Sequence, residues 1–126
     1  MRANVWRALG RQIRRPSGWF GRALGRLMSW EHRELTRWAI AGLDVAADHD
    51  VLDIGCGGGA AVASLAGVAP RGIVVGLDYS AEMTRQARRR TRGSSGSVCI
   101  MQGRVETLPF GEGTFDRVVA IESFFF

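Results

Sequence analysis

Val51-Leu52-Asp53-Ile54-Gly55-Cys56-Gly57-Gly58-Gly59 is the stretch that decides the fold. An apolar run ends at an acid and passes into a loop too rich in glycine for regular structure, the pattern of a buried strand feeding a ligand loop. Such a loop lets a ligand approach the backbone closely and exposes the amide groups of the helix that follows. Gly55 and Gly57 with Ala60 fit the loose dinucleotide fingerprint. Asp78, 23 residues after Gly55, stands near the place of an acid that holds ribose hydroxyls. By itself the loop suits several ligand classes.

Downstream, a helix of small residues is predicted over about 59–66, ended by Gly67 and Pro70. A second apolar run, Ile73 to Leu77, stops at Asp78. Ser80 then caps a helix with a thin apolar face, Met83 and Ala87, and with Arg85, Arg88, Arg89, Arg90 and Arg92 toward its end. Cations near a helix C-terminus suit the backbone dipole, so a solvated face is the simpler reading of this run than a nucleic-acid patch. A third strand is expected over Val98–Met101 and a fourth over Phe115–Ile121. Between them the turn-rich Gly103–Gly111 segment leaves no room for a long helix. Short strands alternating with helices predict an α/β fold with a parallel sheet and helices on both faces.

Upstream, residues 1–30 hold seven arginines and no acid, while residues 31–126 hold ten arginines and twelve acids, so the net charge of +5 comes from the leading segment. A basic face that marked a whole nucleic-acid-binding domain would be spread over the fold. Val5, Leu9 and Ile13, with Trp6 alongside, make a basic amphipathic helix. Its simplest reading is a surface helix, with an anionic membrane surface or nucleic acid as the alternative partner. After Pro16-Ser17-Gly18 comes a second basic, aromatic segment. Ser29 then caps a helix from about 30 to 42, whose stripe of Leu35, Trp38, Ala39 and Leu43 is expected in the core. His32 has no second ligand at a useful spacing, and Cys56 and Cys99 are read as free thiols without metal-ligand spacing. With 126 residues, 46% of them hydrophobic, one small domain is expected, organised as a basic helical segment (1–43) and a ligand-binding part (44–126). No run approaches the roughly 20 apolar residues of a membrane span, so a cytoplasmic protein is expected.

Three segments in order narrow the ligand. Asp53-Ile54-Gly55-Cys56-Gly57-Gly58-Gly59 resembles the first motif of class I S-adenosylmethionine-dependent methyltransferases: acid, x, Gly, x, Gly, x, Gly. Gly76-Leu77-Asp78-Tyr79-Ser80 is similar to that family's second-strand ending. Leu108-Pro109-Phe110 followed by Phe115-Asp116-Arg117-Val118-Val119 is similar to the approach to its fourth strand. The resemblance covers about residues 50–122. It implies a Rossmann-like sheet with strand order 3-2-1-4, S-adenosyl-L-methionine as cofactor, and methylation of a small-molecule acceptor.

The resemblance also implies roles for individual residues. Asp53, Gly55, Cys56, Gly57 and Gly59 would form the loop around the methionine part, with Asp53 orienting the loop and the amino group. Asp78 would hold the ribose, and Tyr79 and Met83 would flank the ribose and adenine. The family often has an acid in the crossing loop to accept from the adenine amino group. Here that position is Arg104, which can only donate, and Glu106 or the backbone of Val105 would substitute. Glu122, at the end of the fourth strand, would approach the methyl position, with a solvated strand-end acid as the equal alternative.

The family's sheet has seven strands, and this sequence stops just after the fourth. The expectation is therefore either a truncated form or a sheet completed by a partner through its open edge. Two other function classes stand beside methyl transfer. One is a fragment of an NAD-dependent oxidoreductase. The other is a non-catalytic protein that binds membrane, nucleic acid or another subunit through its arginine-rich helices or its open sheet edge.

Overall fold

The computed structural model describes residues 33–121. The expected helices over residues 4–15 and 19–30, the Ser29 cap, His32 and Glu122 lie outside them. Residues 33–42 are helical (α1). They are followed by β1 (Val51–Ile54), α2 (Ala60–Val68), β2 (Ile73–Asp78), α3 (Ala81–Arg90), β3 (Ser97–Gln102), a single 3-10 turn (Val105–Thr107) and β4 (Arg117–Val119). The four strands form one parallel sheet in the order β3-β2-β1-β4.

Alternation along the strands divides the residues between two faces. Val51 and Val74, with Val119 of β4, pack against Val62, Leu65 and Ala66 of α2, Ala87 of α3 and Ile40 of α1. Leu52, Val75 and Leu77 point the other way, where Ile54, Met101, Phe110 and Phe115 pack against them. Phe110 and Phe115 meet edge to face with centroids 4.9 Å apart, a favoured aromatic geometry. Helices on both faces were expected. Among the described residues they occupy one face, because the crossing from β3 to β4 forms only the 3-10 turn and its two phenylalanines cover the other.

Three local expectations are corrected by packing. In α1 the buried residue is Ile40, with Leu43 packed beside it, while Leu35 and Trp38 are 48% and 76% exposed. In α3 the buried residues are Thr84 and Ala87, with Met83 half-buried. Thr84 can go inward because its hydroxyl donates to the Ala81 carbonyl at 2.9 Å, and buried Thr91, just past the helix, does the same to Ala87 at 2.8 Å. A hydroxyl bonded within its own turn carries little penalty for burial. Finally, α2 does not stop at Gly67 but runs to Val68, where the Ala69 N–H closes the last turn on the Leu65 carbonyl.

Polar contacts at the N-terminal edge of the sheet fix the register. Asp50 accepts from the Ile73 N–H at 2.9 Å, and the Asp50 N–H donates to Asp116 at 2.8 Å. Arg117 donates from Nε to the Leu43 carbonyl at 2.7 Å, holding the end of α1 against β4. No helix among the described residues is long and apolar enough to cross a membrane.

Gly76 and Gly67 test this packing in opposite directions. A Cβ on Gly76 would lie 2.9 Å from Val62 Cγ2 and 3.0 Å from both Cys56 Sγ and Ile100 Cδ1, whereas one on Gly67 meets nothing within 4 Å. Gly76→Ala is therefore expected to destabilise by about 1–3 kcal/mol through overpacking. Gly67→Ala is expected to stabilise by roughly 0.5–1 kcal/mol through helix propensity. Urea unfolding of the two variants would check both signs.

Candidate functional site

The site is built at the C-terminal ends of β1 and β2, where an open parallel sheet presents its loops. The chain leaves β1 through Gly55, Gly57 and Gly59, with φ of 70°, 52° and 87°, values an L side chain rarely adopts. Gly59 is constrained twice, because a Cβ there would also sit 2.8 Å from the Cα of Ala87 on α3. The Gly55 and Cys56 N–H groups both donate to the Leu77 carbonyl, at 2.7 and 3.0 Å, and the Gly59 N–H closes a turn on the Cys56 carbonyl at 3.0 Å. The loop therefore opens directly into the N-terminus of α2, which has no side-chain cap and no acid in its first turn.

Asp78 joins this loop to the next. Its Oδ2 accepts from the Gly57 N–H and its Oδ1 from the Ser80 N–H, both at 2.9 Å. Ser80 in turn caps α3, accepting from the Met83 N–H at 3.2 Å. The third loop is tied to the same point: the Gly103 N–H donates to the Asp78 carbonyl at 3.0 Å, and the Gln102 amide donates to the Tyr79 carbonyl at 3.1 Å. Sequence reasoning noted Gly103 only as the glycine that opens the crossing loop, and it missed Gln102, whose only signal was its place just after an apolar run.

Asp53 is the unusual member. It is 1% exposed, and its Oδ1 has no hydrogen-bond partner among the described residues. It lies in a sheet row between Gly76 of β2 and Val119 of β4. Burial first, and then the negative charge of Asp78, push its carboxyl from the ordinary 3.8 up to about 7. Cys56 is also buried, and burial, reinforced by Asp53 and Asp78, pushes its thiol up to about 12. A thiol held so firmly protonated is no nucleophile at neutral pH; Cys56 fills the space that Gly76 leaves open.

Of the residues expected at a site, Asp53, Gly55, Cys56, Gly57, Gly59 and Asp78 are drawn together through the loop and strand-end contacts just described. Tyr79, 54% exposed, and Met83 follow on the β2–α3 connection and the first turn of α3. Val105 and Glu106 sit in the exposed 3-10 turn just after Gly103, with Arg104 immediately before it. Among the described residues no group of three or more His, Cys, Asp or Glu is placed to hold a metal ion.

A parallel 3-2-1-4 sheet with a glycine loop after β1 and an acid ending β2 defines a nucleoside-binding α/β domain, and comparison with known proteins narrows that class. Residues 51–126, more than half the chain, match the family model described as a methyltransferase domain. The chain belongs to the class I S-adenosylmethionine-dependent methyltransferase family. A protein from transposon TN4556 of Streptomyces fradiae is 43% identical over 75 residues, covering 59% of this chain and 21% of that one. The demethylmenaquinone methyltransferase of Symbiobacterium thermophilum is 35% identical over 104 residues, covering 76% of this chain and 40% of its own. Among solved structures, a methyltransferase from Thiobacillus denitrificans in complex with S-adenosyl-L-homocysteine superposes with a TM-score of 0.59 at 27% identity, over 69% of this chain and 35% of that one. The chain spans about a fifth to two-fifths of the length of these relatives.

The raised carboxyl of Asp53 has a consequence for folding. Between about pH 4 and pH 7 the unfolded chain ionises this group while the folded chain keeps its proton, so its contribution to stability falls as pH rises through that window and is flat above it. Denaturation of the ligand-free chain across pH 5–8 should show this decline. Asp53→Asn should remove it, narrowing toward wild type at acid pH and gaining on the order of 2–4 kcal/mol over wild type by pH 8. A parallel pH dependence in both proteins would refute the assignment.

Proposed function

We propose that this chain carries the S-adenosyl-L-methionine-binding half of an enzyme that methylates a small-molecule acceptor. The observation that carries the reading is the buried Asp53 oxygen without a partner, set beside a glycine loop and an uncapped helix N-terminus. Backbone amides at a helix start attract an anion, and a buried carboxylate attracts a cation. Side by side they fit the carboxylate and ammonium of an amino acid. A dinucleotide pyrophosphate has use for the amides but offers no cation to the buried Asp53, which weighs against the NAD-dependent reading.

In this proposal Gly55, Gly57 and Gly59 let the ligand's methionine part lie against the backbone, the uncapped N–H groups at the start of α2 bind its carboxylate, and Asp53 binds its ammonium group. Asp78 accepts from the ribose hydroxyls. Each of its oxygens already takes one backbone N–H, and each has a second lone pair for a hydroxyl. Tyr79 and Met83 supply apolar contact to the ribose and adenine. The backbone of Val105 or the carboxylate of Glu106 accepts from the adenine amino group, and Glu122 approaches the methyl position.

The cofactor supplies a sulfonium methyl group, which passes in line to the acceptor as the sulfur–carbon bond breaks and the acceptor's nucleophile loses a proton. The chain's own residues hold and align. The small-molecule class of acceptor draws on the quinone named for the Symbiobacterium relative. We place the cofactor-binding part at 44–126, preceded by the basic segment 1–43. Two free cysteines suit a cytoplasmic setting. Pairing along the outer edge of β4, which has only β1 beside it among the described residues, belongs to the same proposal as the route to a complete acceptor pocket.

Calorimetric titration of the purified chain tests the cofactor assignment. Saturable binding of S-adenosylmethionine and S-adenosylhomocysteine is expected, weakened at least tenfold in Asp78→Ala. Tight binding of NAD with neither of those two would overturn it.

A further inference from the structure

We infer that Asp53 exchanges a proton for the ligand's ammonium group: the empty site favours the neutral acid and the loaded site the carboxylate, so that binding releases up to one proton to solvent, fully so below neutral pH, and makes Asp53 the reader of the ligand's charge. The inference rests on the proposed cofactor reading and adds to it a role that neither the glycine loop nor Asp78 performs.

Geometry carries the argument. A carboxylate removed from water needs a cation or several hydrogen-bond donors. Asp53 is almost wholly buried, and its Oδ1 has no donor. The loop amides that could have served it are turned elsewhere: Gly55 and Cys56 donate to the Leu77 carbonyl, and Gly57 donates to Asp78. Its sheet neighbours offer no help, since Gly76 has no side chain and Val119 is apolar.

Among the described residues, the elements packed around it carry no compensating charge either. On β2 the facing group is Asp78, which is negative. On the loop it is Cys56, a protonated thiol. α2 contributes Val62, and α3 contributes Ala87, which abuts the loop at Gly59. The balance of burial and like charge favours the neutral carboxylic acid, in agreement with the value of about 7. An ammonium group brought against Oδ1 would supply the missing partner and reverse that balance. The acid's O–H bond then breaks heterolytically, its proton leaves to buffer, and the carboxylate remains as the counter-ion.

Asp78 is differently placed and cannot take this role. Each of its oxygens already accepts from a backbone N–H, so no oxygen is left without a donor, and its expected partners, ribose hydroxyls, carry no charge. Proton release is therefore assigned to one residue.

The test is calorimetry of the purified chain with S-adenosylhomocysteine at pH 6, 7 and 8.5. Each titration is run in two buffers of different ionisation enthalpy, so that the difference in heat counts the protons released. About 0.9 proton at pH 6, about 0.5 at pH 7 and fewer than 0.1 at pH 8.5 are expected, with affinity about tenfold weaker at pH 6 than at pH 8.5. Asp53→Asn should bind with heats independent of buffer and affinity independent of pH over this range. Binding by the wild type with no buffer dependence, or a buffer dependence that survives in Asp53→Asn, would overturn the inference while leaving the cofactor reading intact. Absence of binding at every pH would instead overturn the cofactor reading on which it depends. Should Asp53→Asn fail to fold, the wild-type proton count across the three pH values still decides.

Discussion

The carboxylate of Asp78 is the constraint on which the rest of the site depends. One oxygen holds the Gly57 N–H and the other the Ser80 N–H, so the loop after β1 and the start of α3 are fixed to the same side chain. The Asp78 carbonyl accepts from Gly103 and thereby fixes the chain leaving β3 as well. Charge-assisted bonds from backbone donors are among the stronger hydrogen bonds available to a folded chain. Three loops from three strands converge here through the chain's own hydrogen bonds. Preorganisation of this kind lowers the ordering cost of binding.

Close packing behind the loops explains why so many small residues are needed. Gly59 lets α3 approach through Ala87, and Gly76 lets Cys56 and Val62 settle onto the middle of the sheet. With side chains at those two positions, α2 and α3 would both have to stand off from the sheet. The glycine loop would then lose its register with Asp78. Backbone conformation and core packing are therefore one requirement in this region, met by glycines with different duties.

The site was more legible in the sequence than the core was. Strand β1, the loop and Asp78 could be read because an apolar run, an acid and closely spaced glycines each have a local physical meaning. The 3-10 crossing was legible as a turn-rich segment without room for a helix. Hydrophobic counting found Leu43 and Ala87 but missed the rest of the inward faces of α1 and α3, for different reasons. In α1, Ile40 and Leu43 share the inward face and Trp38 lies off it, so the largest apolar residue was the wrong guide. In α3 the inward residues are Thr84 and Ala87, followed by Thr91 at its end; the hydroxyls bond back into their own turns, a saving that no hydropathy pattern records. The state of Asp53 was equally hidden, because whether a carboxylate has a donor depends on which way the amides of Gly55, Cys56 and Gly57 turn.

The arginines of α3 show how local structure accounts for a charge run. Arg88, Arg89 and Arg90 occupy the last turn of the helix, where cations stabilise the exposed carbonyl end. Arg88 also donates to the Ile100 carbonyl of β3 at 3.2 Å. A guanidinium on the carbonyl of an outer strand satisfies an acceptor that no neighbouring strand reaches among the described residues, and charge along such an edge discourages unwanted pairing. Two acids, Asp53 and Asp78, are by contrast buried. The surface arginines thus stabilise helix and edge, whereas the two acids oppose each other inside the domain. That internal opposition has no structural benefit of its own, because a Leu or Asn at 53 could fill the same row of the sheet. It becomes intelligible only if something positively charged enters the loop, and an amino-acid ammonium group is the cation that the adjacent amides of α2 would accompany with its carboxylate.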